Sequence, residues 1–261
     1  MLIPKEIASA FVQVGIQKAN MPKTKLFVLG IFAGVFIALA GAGSSIACAT
    51  IENASLARLL NAMIFPAGLV MVLLAGSELF TGNSLMIIAR LEKKITSKQL
   101  MLNWLLVYLG NFVGSMFVVW MIVYSHVPDL FAQGLAQAMV NGAQAKVNLS
   151  FSDAFLKGIM CNILVCLAVW VAMAATSAHG KIIALYLPIV VFVLCGFEHC
   201  IANMYSIPVG YFAGLEYGLP NSISLAGFVL HNLVPVTIGN IVGGCMVGAG
   251  YWYCYIDQKR S

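Results

Sequence analysis

Charged side chains are scarce in this sequence of 261 residues, where they make up 9% of the chain and hydrophobic residues make up 61%. A soluble domain carries about 25% charged residues. So few charges cannot cover a water-exposed surface, and we therefore predict an integral membrane protein whose surroundings are the lipid bilayer. The sequence also lacks a nucleotide-binding loop, a zinc-ligand spacing and a nucleophile motif, which argues against an enzyme, a metal site and a cofactor.

Paired cysteine motifs are missing too. The seven cysteines are odd in number, include no Cys-x-x-Cys pair and lie in or beside apolar runs. We interpret them as small packing residues and not as a disulfide or metal framework. No signal peptide is recognisable, and residues 1–25 are predicted to form an amphipathic helix at the membrane surface that stays attached.

Long apolar runs are what the sequence does contain. Six of them cover about residues 26–51, 60–89, 101–125, 155–176, 182–209 and 225–255. A membrane-crossing helix needs about 20 apolar residues, so we predict an all-α membrane protein with six transmembrane helices in one channel domain, 1–261. The segment 126–152 is too hydrophilic to cross.

The basic residues predict the orientation. Eleven lie on one side of the predicted helices, including Lys259 and Arg260, and three lie on the other, Arg58, Lys146 and Lys157. Because basic residues concentrate in cytoplasmic segments, both termini are predicted to be cytoplasmic and residues 126–152 external.

An internal repeat relates the two halves, about 26–125 and 155–256. The second and fifth apolar runs share a Gly-x-Glu-x4-Asn pattern, and the third and sixth share an Asn followed by Gly-Asn and Gly; the pairs are Gly76/Gly196, Glu78/Glu198, Asn83/Asn203, Asn103/Asn232 and Asn111/Asn240. Three crossings per half would insert the second half upside down, as in the inverted repeats of many transporters. The two Gly-x-Glu segments are the candidate interruptions of the second and fifth helices.

Glu78 and Glu198 are the acids that lie well inside apolar runs. Because an unpaired carboxylate is costly at membrane depth, we predict that each accepts hydrogen bonds from backbone donors at its helix break. A proton-relay role for these two residues is the alternative.

His199 has no counterpart in the repeat, since Leu79 occupies the equivalent position. Histidine titrates near neutral pH, so a histidine at a midplane break predicts a role in a pathway, with core packing as the alternative. Lys146, in the external segment, either attracts anions or is simply solvated.

Several motifs together resemble the formate/nitrite transporter family. They are Leu79-Phe80-Thr81, Lys146-Val147, Asn162, the stretch from Gly196 to Asn203 with Ile207-Pro208, and the stretch from Leu233 to Asn240. The resemblance runs through nearly the whole chain and is greatest to the bacterial hydrosulfide channels within the family. Gly82-Asn83 departs from the bulkier or hydroxylated residues of some relatives, which leaves gating by this loop open.

The resemblance implies an aquaporin-like fold in the bacterial plasma membrane, assembled as a homopentamer with one pore per subunit and no nucleic-acid partner. It implies that His199, Thr81, Asn162, Lys146 and Asn240 face the pore or the substrate. It also implies apolar constrictions, formed by Phe65, Leu69, Leu79, Phe80 and Phe192.

The predicted function is a channel for small monovalent anions of weak acids, above all hydrosulfide but also formate and nitrite. His199 would pair with the anion as a cation or protonate it, and Thr81 and Asn162 would orient the imidazole. The alternatives are a proton-coupled secondary transporter that uses Glu78 or Glu198, and a channel for neutral solutes such as water or glycerol.

Overall fold

The computed structural model describes residues 1–256, which form eleven α-helices and three short helical turns of other types. Lys259 and Arg260, which contributed to the predicted orientation, lie outside the described residues. The α-helices are α1 (Pro4–Ala19), α2 (Lys23–Cys48), α3 (Ala54–Ile64), α4 (Ala67–Ala75), α5 (Ile87–Leu91), α6 (Ser97–Tyr124), α7 (Gly134–Val147), α8 (Phe151–Ala174), α9 (Ala178–Leu194), α10 (Cys200–Glu216) and α11 (Val234–Tyr255).

Five helical stretches in residues 1–256 are long and apolar enough to cross a membrane. They are Lys23–Cys48, Ala54–Ala75, Ser97–Tyr124, Phe151–Ala174 and Gly227–Tyr255. The fifth predicted crossing is missing from this set because a break divides it into α9 and α10, each of 17 residues. The chain is therefore an all-helical, multi-pass membrane protein.

Side-chain caps define where several helices begin. Thr96 and Gln99 form a capping box at α6, where the Gln99 backbone N–H donates to Thr96 Oγ1 at 3.2 Å and the Gln99 side chain accepts from the Thr96 backbone at 2.9 Å. Ser150 caps α8 and Ser177 caps α9 in the same way, each through its hydroxyl oxygen. These caps satisfy backbone donors that the first helical turn leaves free.

Glycines allow two helix pairs to pack closely. A Cβ on Gly30 of α2 would lie 3.1 Å from the Val107 carbonyl oxygen of α6, and a Cβ on Gly158 of α8 would lie 2.8 Å from the Val236 carbonyl oxygen of α11. Small residues are what membrane helices use for close backbone contact. The pairs α2–α6 and α8–α11 form the frame around the two helix breaks.

Helix α1 packs on the protein. Its buried residues Ile7, Phe11 and Val12 join a cluster with Ile88 and Trp170, and the rings of Phe11 and Trp170 stack with centroids 5.4 Å apart. Protein thus covers the apolar face that was expected to lie on lipid, while contact of the rest of α1 with the membrane surface stays a prediction.

The hydrophilic segment 126–152 contains helix α7, which packs against α10. Leu135 and Met139 of α7 are buried in one cluster with Tyr205 and Val209 of α10. Lys146 lies in the last turn of α7, so its position is fixed by a packed helix.

Candidate functional site

The first helix break follows α4. Gly76 has a left-handed backbone with φ of 80°, a conformation that side chains other than glycine seldom adopt. The chain then runs without a regular helix as far as a short 3-10 helix at Gly82–Met86. Asn111 of α6 holds this segment: its Oδ1 accepts from the Phe80 N–H at 3.0 Å, and its Nδ2 donates to the carbonyls of Glu78 (2.9 Å) and Gly30 (2.7 Å).

The second break follows α9 and has the same contacts. Gly196 has φ of 69°. Asn240 of α11 accepts from the Cys200 N–H at 2.9 Å and donates to the carbonyls of Glu198 (2.9 Å) and Gly158 (2.8 Å). Each break therefore has one asparagine that satisfies a backbone donor and a backbone acceptor within it.

Glu78 is buried and paired at the first break. Lys18 Nζ of α1 lies 2.7 Å from both carboxylate oxygens, and Asn83 Nδ2 donates to Oε2 at 2.8 Å. Asn103 Oδ1 accepts from the same Asn83 amide at 2.8 Å. The carboxylate is therefore both ion-paired and hydrogen-bonded, as a buried charge requires.

Glu198 has the corresponding partners. Lys146 Nζ lies 2.9 Å from Oε1, while Oε2 accepts from Asn203 at 2.7 Å and from Asn232 at 3.2 Å. The expectation that the two carboxylates accept from backbone donors was wrong, because Asn111 and Asn240 satisfy that backbone and the carboxylates accept from lysine and asparagine side chains. Lys146 is likewise not a freely solvated side chain, since it is half-buried and ion-paired.

His199 lies at the start of α10 and joins the two breaks. Its Nδ1 accepts from the Ala202 N–H at 3.1 Å, which caps the helix, and its Nε2 lies 3.1 Å from Thr81 Oγ1 of the first break. The side chain is buried, and its ring stacks on Phe192 with centroids 6.0 Å apart. Because Nδ1 accepts a backbone hydrogen, the neutral ring carries its proton on Nε2 and donates to Thr81.

Asn162 acts on the loop and not on the imidazole. Its Nδ2 donates to the Thr81 carbonyl at 3.2 Å, to Ser84 Oγ at 3.2 Å and to the Asn240 carbonyl at 2.6 Å. Among the described residues it makes no hydrogen bond to His199, so the predicted orientation of the imidazole by Asn162 would act through Thr81. It holds Thr81, and Thr81 holds His199.

Two cavities border the breaks. The Lys146 cavity has a volume of about 530 Å³, and its lining includes Lys146, His199, Phe65 and Phe192. The Lys18 cavity has a volume of about 120 Å³, and its lining includes Lys18, Leu69 and Leu79. Phe65 and Phe192 meet edge to face with ring centroids 5.7 Å apart, so aromatic rings lie next to His199 in the larger cavity.

Four of the predicted pore residues line neither cavity. Phe80 packs between Trp104 and Tyr108, with ring centroids 6.3 and 4.9 Å away, and lines neither cavity. Asn240 is fully buried, lines neither cavity either, and uses its amide to hold the second break. Thr81 and Asn162 are also fully buried and line neither cavity.

Lys18 is a site residue that was not predicted from the sequence. Lys18 and Lys146 differ by 128 positions, as do Gly30 and Gly158. Extending the repeat to residues before the first apolar run would have matched the two lysines. Arg58 and Lys157, which also line the Lys146 cavity, were noted only for their charge.

Apolar helices that cross a membrane, two backbone breaks that meet inside them and cavities that border the meeting point define a membrane transport protein. The profile of the formate/nitrite transporter family matches residues 5–253. The chain belongs to the formate/nitrite transporter family.

Individual relatives agree with this assignment. The formate channel FocA of Escherichia coli K12 is 36% identical over 275 residues, which cover 99% of this chain and 96% of the relative. An uncharacterized transporter of Bacillus subtilis, YrhG, is 38% identical over 266 residues, covering 99% and 95%. A solved pentameric formate channel with formate bound has a TM-score of 0.80 and 34% identity, and the match covers 90% of this chain and 98% of that one.

These relatives are channels and transporters, so the chain is a transport protein and not an enzyme. The greater resemblance to hydrosulfide channels stays a prediction.

Proposed function

We propose that this protein is a channel for small monovalent anions of weak acids, with formate as the leading substrate and nitrite and hydrosulfide as further ones. The observation that carries the proposal is the buried contact between His199 Nε2 and Thr81 Oγ1, 3.1 Å apart where the two breaks meet. The relatives include formate channels, which supports the substrate class.

The hydrogen-bond directions at this contact leave one donor free for an anion. Since His199 Nδ1 accepts from Ala202, Nε2–H donates to Thr81 Oγ1. The Thr81 hydroxyl proton is then available, and an anion that reaches it receives a hydrogen bond backed by the imidazole dipole. A cationic His199 would place a proton on Nδ1 against the Ala202 N–H, so we propose that the ring works in its neutral form.

Apolar side chains select against ordinary ions. Phe65 and Phe192 on one side of His199, and Leu69 and Leu79 on the other, offer no replacement for a hydration shell. Desolvating a metal ion or chloride there is costly. The anion of a weak acid reduces that cost, because it accepts the hydrogen bond from Thr81 while still charged. It then takes up a proton delivered by water and leaves this point as the neutral acid.

Proton-coupled transport through the two glutamates is the weaker alternative. Glu78 and Glu198 are each bonded to a lysine at 2.7 and 2.9 Å. A glutamate that took up a proton would leave its lysine charged and unpaired in a half-buried position. A channel for neutral solutes is also less favoured, because nothing in that function needs ion pairs beside both cavities.

The proposed architecture has six crossings in an inverted repeat. The α9–break–α10 segment supplies the sixth crossing. Tyr108 and Thr237, which are equivalent under the offset of 129 that relates Asn111 to Asn240, hydrogen-bond to each other at 2.9 Å. A residue meets its own equivalent where a two-fold axis passes between them, and this supports the inverted relation of the halves.

We further propose a homopentamer with one pore per subunit, in line with the solved pentameric relative. Both termini would be cytoplasmic, with the Lys146 cavity facing outward. Light scattering of the purified protein in detergent measures the subunit number directly.

Initial rates of formate, nitrite and hydrosulfide flux into proteoliposomes test the function. We expect the wild-type protein to carry all three faster at lower external pH, because uptake of a proton by the anion is a step of its passage. His199→Phe should abolish this flux and retain the oligomer. Flux of chloride at the formate rate, or equal rates in His199→Phe and wild type, contradicts the proposal.

A further inference from the structure

The Lys146 cavity collects all three basic residues that precede or follow the crossings on that side. Arg58 of α3, Lys146 of α7 and Lys157 of α8 all line it, although they lie far apart in the sequence. Like charges gathered in one cavity point to an anionic occupant.

Lys146 supplies little of the net charge in this cavity. Its Nζ lies 2.9 Å from Glu198 Oε1, and the other carboxylate oxygen accepts from two asparagines. The pair is therefore close to neutral overall. Within residues 1–256, Arg58 and Lys157 form no salt bridge, and their side chains make no hydrogen bond. The uncompensated charge of the cavity lining thus comes from these two residues.

Both residues lie at the second break. Arg58 Nη2 is 3.4 Å from the position that a Cβ on Gly196 would occupy, so the guanidinium group extends over the backbone of the break. The Lys157 carbonyl accepts from the Glu198 N–H at 3.3 Å, which fixes Lys157 beside the same segment. An anion at this point lies next to the break that carries His199.

Two residues that line the same cavity carry buried hydroxyl groups. Within residues 1–256, the Tyr205 hydroxyl and Ser206 Oγ are buried and make no hydrogen bond, and Tyr205 is only 2% exposed. Both residues line the Lys146 cavity. Both hydroxyl oxygens are closed off from the cavity, so the charged groups of Arg58 and Lys157, and not these hydroxyls, are the donors that an anion in the cavity meets.

We propose that Arg58 and Lys157 form an anion-binding site in the Lys146 cavity, here called the Arg58 site, which favours planar anions with two oxygen atoms. A guanidinium group donates two parallel N–H bonds to such an anion, whereas a single-atom acceptor such as hydrosulfide receives no matched pair. The Arg58 site therefore selects formate and nitrite over hydrosulfide before the anion meets Phe65 and Phe192. It rests on the proposed anion pathway and adds a basis for its specificity.

Two variants, Arg58→Gln and Arg58→Lys, distinguish the effect of the positive charge from the effect of the planar guanidinium group. In proteoliposomes, Arg58→Gln should raise the half-saturating formate concentration about tenfold, the effect of losing a charge-assisted bidentate contact. Arg58→Lys keeps the positive charge and loses the two parallel N–H donors of the guanidinium group. Its half-saturating concentration should therefore stay raised for formate and equal that of the wild type for hydrosulfide. Lys94→Gln, which removes an exposed charge before α6, is the matched control and should change neither anion.

Direct binding distinguishes failure of the Arg58 site from failure of the channel proposal. Saturation-transfer NMR with formate and detergent-solubilised protein should give a signal in wild type that drops in Arg58→Gln, whether or not the protein conducts. Equal signals and equal half-saturating concentrations in the two proteins overturn the site. If Arg58→Lys has the same half-saturating formate concentration as the wild type, the proposed preference of the Arg58 site for planar anions is overturned. Absence of any anion flux in wild type refutes the channel and leaves the binding result to decide the site.

Discussion

Replacing Thr81 by valine removes one hydroxyl group from the contact between the two helix breaks and changes the side-chain volume very little. The lost atom is the oxygen 3.1 Å from His199 Nε2. Thr81 is fully buried, so solvent cannot replace the hydroxyl group. If this hydroxyl is the donor to the passing anion, the valine variant loses that hydrogen bond and leaves the imidazole N–H without an acceptor.

The expected size of the effect follows from the charge of the acceptor. A hydrogen bond to a charged group contributes about 1.5–3 kcal/mol, which corresponds to about a 10- to 150-fold change in rate. We expect formate flux of Thr81→Val to fall within this range. Thr81→Ser, which restores the donor, should regain most of the flux.

Stopped-flow measurement of formate entering proteoliposomes that contain a pH-sensitive dye gives the rates. Thr237→Val is the matched control, because its hydroxyl lies 2.9 Å from Tyr108 and away from both cavities; it should conduct like the wild type. A Thr81→Val rate within twofold of wild type, with an intact oligomer, refutes the donor role of Thr81 and with it the proposed chain from the imidazole to the anion.

Two stability predictions concern the frame around the site. Asn240→Leu leaves one buried backbone donor, the Cys200 N–H, and one acceptor of the break, the Glu198 carbonyl, without their partner, at a cost of about 1–3 kcal/mol each. Thermal unfolding should therefore occur at a clearly lower temperature, and a melting temperature equal to wild type would contradict the role of Asn240 in holding the second break. Lys18→Met leaves Glu78 buried without its cation and should therefore destabilise the protein more than the double variant Lys18→Met/Glu78→Gln. A double-mutant cycle of melting temperatures measures this coupling, and purely additive effects would show that the pair is not coupled.

The positions of the helix breaks were predictable, and their partners were not. Glycine followed by a glutamate at membrane depth is a local signal, and both Gly76 and Gly196 have the positive φ that such a break requires. Asn111 and Asn240 lie 35 and 44 residues along the chain from these glycines. Their contact with the breaks depends on how α6 and α11 are rotated against α2 and α8, which apolar spacing alone does not determine.

Rotation of a helix or loop also explains the misplaced pore residues. Phe80 sits between two residues of the predicted pore loop, Leu79 and Thr81, yet its side chain points toward Trp104 and Tyr108. In a non-helical segment neighbouring side chains point in different directions, so membership of a pore loop does not imply a place on the pore wall. The resemblance identifies the segment, and the fold decides which of its side chains face the pathway.

The residues that hold the two breaks occur in both halves of the repeat, whereas the residues of the proposed anion contact occur in one half each. The contacts of Glu78, Lys18 and Asn111 recur at Glu198, Lys146 and Asn240, so both halves build the same break. The residues at the meeting point have no such counterparts. At the equivalent positions Leu79 replaces His199, Ile201 replaces Thr81 and Gly34 replaces Asn162.

Duplication therefore accounts for the symmetry of the frame, and divergence at three positions accounts for the site. Gly34 cannot return to asparagine without cost, because a Cβ there would collide with the Asn111 backbone. Leu79 and Ile201 lie at the meeting of the breaks, so a second histidine or a second threonine would add polar groups to a site that already pairs His199 with Thr81. One polar pair between apolar neighbours gives a single point of hydrogen bonding for a small anion, which is what a narrow pore for weak acids requires.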